Sequence, residues 1–81
     1  VKHGVGFSEA TRVLTDPLSL TKRDRVVDGE QRWQTFGTVR GKKLLVVVHA
    51  DRDQDGVEII RIISSRHAER WERAEYEEEN G

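Results

Sequence analysis

The 81-residue chain contains no cysteine and no methionine, a single proline, and no apolar run longer than Leu44–Val48. Without cysteine there is neither a disulfide nor thiolate chemistry. Small secreted folds usually rely on disulfide staples, so the cytoplasm is the expected compartment. Five consecutive apolar residues fall far short of the roughly 20 needed to span a bilayer. No signal-peptide pattern is visible, and no membrane role is expected. The three histidines, His3, His49 and His67, are scattered and show no metal-ligand spacing, so neither a metal nor another cofactor is expected. The chain opens on Val1 rather than methionine, and the reading allows for further chain ahead of it.

What is present is charge. Charged residues make up 36% of the chain and hydrophobic residues 35%, polar for one self-sufficient domain. A chain this short buries only about 60% of its unfolded surface, so its stability margin is thin. The formal net charge of -1 hides an asymmetry. Residues 72–79 hold five of the fifteen acids and one of the fourteen bases, leaving 13 bases against 10 acids over residues 1–71. A mildly basic body with an acidic tail suits contact with a polyanion without indiscriminate attachment to nucleic acid.

The pattern predicts a single α+β domain over residues 1–81: a short N-terminal helix, a four-stranded antiparallel meander, and a C-terminal helix packed on the sheet. Ser8 is the expected N-cap of the first helix, with Glu9 in its first turn and Phe7 closing its apolar end. Ala10, Val13 and Leu14 recur at helical spacing, and Asp16-Pro17 stops the helix. Leu18–Lys22 reads as a short strand, 22–31 as a charged loop, and Gln31–Val39 as a strand. Arg40-Gly41-Lys42 is a tight turn. Lys43–Ala50 is the strongest strand, and its unbroken apolar centre argues for burial on both faces. Asp51–Gly56 reads as a polar turn and Val57–Ile63 as the last strand. Ser64 or Ser65 is expected to cap a helix running to about Glu79, with Arg66, Arg70 and Arg73 on one of its faces.

Several segments, taken together, resemble a known family. These are Lys2-His3-Gly4-Val5 with Phe7 and Ala10, Asp16-Pro17-Leu18, Glu30-x-Arg32, Gly37, Leu44-x-Val46-Val47, Arg61-Ile-Ile-Ser64-Ser65-Arg66, Glu72 and Tyr76-Glu77. In order and spacing they resemble BrnT, a family of toxins from bacterial type II toxin–antitoxin pairs related in fold to the RelE ribonucleases. The resemblance implies an RNA-cleaving toxin that inhibits translation. It also implies a neutralising antitoxin with a ribbon-helix-helix part, and contact with operator DNA only through that antitoxin. Members usually open with a further strand and the start of a helix before the Lys-His-Gly-Val segment. The chain as given is therefore expected to show an incomplete first helix and sheet edge.

Cleavage by the ribose 2′-hydroxyl needs a base, an acid, and cations that stabilise the phosphorane. Arg61, an arginine within an apolar strand, needs an anion or a carboxylate. It either projects toward phosphate or pairs with Glu58 or Glu30 to organise the sheet. Arg66, with Ser64 and Ser65 at the expected helix N-terminus, either holds phosphate or is solvated behind ordinary capping. Arg70 and Arg73 are RNA contacts or a solvated face paired with Glu69 or Glu77. Glu30 and Arg32 flank Gln31 and share a face, as a general base with its orienting cation or as an exposed pair. Tyr76 stacks on a base or packs on the sheet with Trp71. Trp33 and Phe36 point to opposite faces, and His49 reads as a satisfied strand-end histidine. Lys2 and His3 enter as proton-transfer or phosphate groups through the resemblance; otherwise they only bond a helix end. The rival to a nuclease is a non-catalytic RNA- or protein-binding module acting as corepressor with a DNA-binding antitoxin.

Overall fold

A computed structural model describes residues 6–41 and 43–80. The elements are α1 (Phe7–Leu14), β1 (Leu20–Val27), β2 (Glu30–Val39), β3 (Lys43–Gln54), β4 (Val57–His67) and α2 (Arg70–Asn80). The strands form one antiparallel sheet in the order β1-β2-β3-β4, so the α+β meander with a helix at either end is the architecture found.

The strands are longer than expected because two turns are tighter. The charged loop over 22–31 does not exist. β1 runs to Val27 and meets β2 through Asp28-Gly29 alone, with φ of 51° and 79°. The polar turn over 51–56 shrinks to Asp55-Gly56, with φ of 53° and 80°, so β3 reaches Gln54. Two consecutive left-handed residues match the natural twist of a hairpin, and Asp-Gly supplies them at low cost. Lys22 to Arg25 are tolerated in β1 because it is an edge strand with exposed side chains.

Three local expectations change. Ser64, Ser65 and Arg66 belong to β4, paired with Val48, Val47 and Val46, and cap nothing. Pairing of β4 with β3 outweighs the capping preference of Ser65, although its buried hydroxyl has no hydrogen-bond partner among the described residues. The last helix therefore begins at Arg70. Ser8 lies inside α1, whose N-cap is Gly6 with no side-chain capping bond. Phe7 is 65% exposed and closes no apolar end.

Leu44, Leu45, Val46 and Val47 are buried consecutively, because a helix covers each face of β3. On one face α1 places Ala10 and Val13 against Val39, Leu45 and Val47. On the other, Tyr76 of α2 packs with Phe36, Leu44 and Val46. α1 comes close because Gly37 has no side chain; a Cβ there would lie 3.0 Å from Val13 Cγ1 and 3.1 Å from its carbonyl oxygen.

A bulge decides which face the end of β4 presents. Ser64 pairs with Val48 and Ile62 with His49, so Ile63 is an extra residue. Strict alternation would put Arg61 and Arg66 on opposite faces. The extra residue restores them to one face, opposite Ala50 and Val46, the face that carries α2.

Candidate functional site

α2 covers the Phe36–Val46 part of its face, and the rest of that face carries the charged residues. Glu30 and Arg32 lie at the start of β2, Arg52 near the end of β3, and Arg61 on β4. Glu30, Arg52 and Arg61 meet at a cleft of about 210 Å³ that is also lined by Ala50, Ile59 and Ile60.

Arg61 is not buried, as its apolar neighbours suggested; its side chain is 60% exposed. The hairpin of β3 and β4 projects past the helices, so both faces of residues 57–61 meet solvent. Arg61 Nη2 donates to Glu30 Oε1 at 2.5 Å. Arg32 Nε stands 3.9 Å from the same oxygen and has no hydrogen-bond partner among the described residues. The arrangement is one carboxylate between two guanidiniums at the rim of an open cleft. Arg52 was hidden in the expected polar turn. The Asp55-Gly56 hairpin signal, extended back by alternation through Ala50-x-Arg52, is what locates it in the sequence.

Arg66 is occupied elsewhere. Its two terminal nitrogens each donate to one oxygen of Glu72 at 2.8 Å, and Glu72 is 2% exposed. Glu72 Oε1 also accepts the Glu69 N–H at 2.8 Å. The Arg66 bidentate bond holds the Glu72 carboxyl below its ordinary value; burial opposes this, and the Glu69 N–H and the Arg66 and Lys22 charges add to it. The same bond raises the Arg66 guanidinium against burial. Arg66 therefore anchors the first turn of α2 to β4 instead of sitting at a helix N-terminus. Glu72 went unrecognised as its partner because the helix was expected to start four or five residues too early.

The remaining residues are dispersed. Ser64 is half-buried on the α2 face, beside neither Glu30 nor Arg61 in register. Arg66, Arg70 and Arg73 make no helical stripe, since the first is in β4; Arg73 pairs with Glu77 at 3.6 Å. Tyr76 is 8% exposed and packs on the sheet, leaving no ring face for a base. Trp71 does not join it there and is 60% exposed. Phe36 is buried on the α2 face, while Trp33 is half-buried on the other, with Arg23 5.9 Å from its ring centroid. His67 ends β4 instead of opening α2. Lys2, His3 and Lys42 lie outside the described residues.

Two polar clusters went unread in the sequence. Burial pushes the Asp16 carboxyl up, but hydrogen bonds from the Leu18 N–H, the Thr38 N–H and hydroxyl, and Tyr76 hold it below its ordinary value. Burial, reinforced by the Asp16 charge, raises the Tyr76 phenol. On the α1 face, Thr35 Oγ1 lies 2.7 Å from His49 Nε2, and His49 Nδ1 lies 2.7 Å from Asp51 Oδ1. His49 is thus a satisfied histidine in the middle of a long strand, 4% exposed.

No helix among the described residues is long and apolar enough to cross a membrane. No curated protein matches the chain. The family model described as the ribonuclease toxin, BrnT, of a type II toxin–antitoxin system matches residues 1–72. With the fold and the exposed carboxylate–guanidinium cleft beside that match, the chain belongs to the BrnT family of ribonuclease toxins, enzymes that act on RNA and are paired with an antitoxin.

Proposed function

We propose that this chain is a metal-independent endoribonuclease that cleaves RNA by attack of the ribose 2′-hydroxyl on the adjacent phosphate, and thereby inhibits translation. The observation that carries the reading is the Arg61–Glu30 pair at the rim of the open cleft, with Arg32 facing the same carboxylate oxygen. A scissile phosphate entering the cleft competes with Glu30 for Arg61. The guanidinium turns onto phosphate oxygens, where charge develops in the phosphorane. The released carboxylate takes the 2′-hydroxyl proton. Arg32 and Arg52 add positive charge on either side. Lys2 and His3 are candidates to protonate the departing 5′-oxygen, on the strength of the family likeness.

The partner fits a ribbon-helix-helix antitoxin that brings the pair to operator DNA, within the cytoplasm. The rival reading, a corepressor that binds without cleaving, is favoured by the fact that Arg61 and Arg66 both already have carboxylate partners. One experiment separates the two. RNA is incubated in chelator with the wild-type chain, Glu30→Gln and Arg61→Ala. A nuclease loses at least about 100-fold in rate with either substitution. The melting temperature should hold within a few degrees, because exposed ion pairs contribute at most about 1 kcal/mol. RNA left intact by the wild-type chain would overturn the reading.

A further inference from the structure

A second cationic site lies at the other end of the sheet. A basin of about 380 Å³ opens between α1 and the β2–β3 turn, lined by Ser8, Glu9, Arg12, Val39, Arg40 and Lys43. It is larger than the cleft at Glu30, and among the described residues no ion pair joins its lining. Among the described residues, the side chains of Arg12, Arg40 and Lys43 have no carboxylate or hydrogen-bond partner, in contrast to Arg61 and Arg66. Three cations face one acid, Glu9, in a concave surface with the Ser8 hydroxyl beside them.

The backbone gives an independent indication. Arg40 has φ of 56°, the left-handed region, ahead of Gly41 at 69°. The corresponding positions of the other two hairpins carry Asp28 and Asp55, a residue type that tolerates this conformation. Arginine is a poor choice for the turn itself, and strain of this kind gathers where a side chain is needed for binding.

We propose that this basin is a second phosphate-binding site, which takes the backbone of the RNA substrate at a distance from the cleaved bond. Guanidinium, ammonium and hydroxyl groups in a concave surface suit a phosphate diester. The site stands at the far end of β2, whose ten residues separate it from Glu30 by roughly 30 Å. It therefore contacts only RNA long or folded enough to reach both ends and round the sheet from one face to the other. The inference rests on the ribonuclease reading, and its test uses binding so that the two fail separately.

Affinity is measured across a salt series in the cleavage-deficient Glu30→Gln chain, with a dinucleotide and with an oligonucleotide long enough to span the sheet. Two variants are added in that background. Arg40→Asn suits the left-handed turn and keeps the fold. Arg12→Glu, Arg40→Glu and Lys43→Glu together reverse the basin's charge. The expected result is unchanged dinucleotide affinity, with oligonucleotide affinity lowered about tenfold or more by the triple variant. Its slope of log affinity against log salt should flatten by about 2, and that of Arg40→Asn by about 0.7. Inorganic phosphate should compete weakly for the basin, which marks the polymer as the ligand. Equal affinities and slopes in all chains would overturn the proposal, as would loss of antitoxin binding with RNA binding intact, which would make the basin a protein-docking site. Undiminished cleavage by Glu30→Gln tells against the Glu30 mechanism alone; affinities are then read with an oligonucleotide methylated at its 2′-hydroxyls, which cannot be cleaved by 2′-hydroxyl attack.

Discussion

Arg66 and Arg61 show how one residue type serves two ends within six positions. Arg66 meets a carboxylate that is 2% exposed, so the pair is fixed by packing and fastens α2 to the sheet. Arg61 meets one at the surface, where solvent weakens the pair and a phosphate can replace it. Glu72→Gln should cost about 2 kcal/mol, since a hydrogen-bonded charge is lost beside a half-exposed guanidinium. In a domain of this size that lowers the melting temperature by roughly 10 °C. The pH dependence has a definite sign. The folded-state pKa of Glu72 lies below its ordinary 4.5, so its contribution is complete above that value and is lost as pH falls through the folded one. Urea denaturation should show the gap between wild type and Glu72→Gln closing as pH drops below about 4.5. Asp16, also lowered, adds acid sensitivity of the same sign.

Among the elements, α1 and the β4 bulge depend on single positions. α1 is eight residues long and stable only through what it packs against. Gly37→Ala places a methyl group against the Val13 backbone and the Asp16 carboxylate, neither of which is the free end of a flexible side chain. A destabilisation of about 1–3 kcal/mol is expected, read by thermal unfolding. The bulge absorbs one residue without turning the strand. Deleting Ile63 regularises the ladder and leaves Arg61 opposite Ala50, on the face of Glu30. Cleavage should persist in this deletion, in contrast to Arg61→Ala. Loss of cleavage by a deletion variant that folds would show that the bulge itself is required.

The molecule is about 37 Å long, with the carboxylate–guanidinium cleft toward one end and the basin of Arg12, Arg40 and Lys43 toward the other. The excess acid sits in α2 and its tail. Charge of this kind speeds the approach of an acidic partner and is screened by salt. The association rate with the antitoxin should therefore fall as ionic strength rises, in stopped-flow measurements at fixed pH. A rate independent of salt would indicate docking led by the exposed apolar residues Val57, Ile59, Ile60 and Trp71.

The sequence by itself determined the α+β class, the meander, the burial of Leu44–Val47 on both faces, the family, and Glu30 and Arg32 on a common face. These follow from local periodicity, turn chemistry and the order of short motifs. Two Asp-Gly turns were legible too, but the charge around them read as loop; pairing in an antiparallel sheet overrode that polarity. Only the tertiary structure decided that Ser64 to Arg66 are strand and not helix cap, because the ladder to Val46–Val48 of β3 outweighs both capping and the cost of burying the Ser65 hydroxyl. Only the structure separated Arg61 from Arg66, since their carboxylates lie 31 and six residues away and no local pattern couples them. A single bulged residue in β4 keeps Arg61 on the face of Arg66, where counting along the sequence puts it on the other. That kind of register shift is written in the hydrogen bonds between strands, not in the composition of either one.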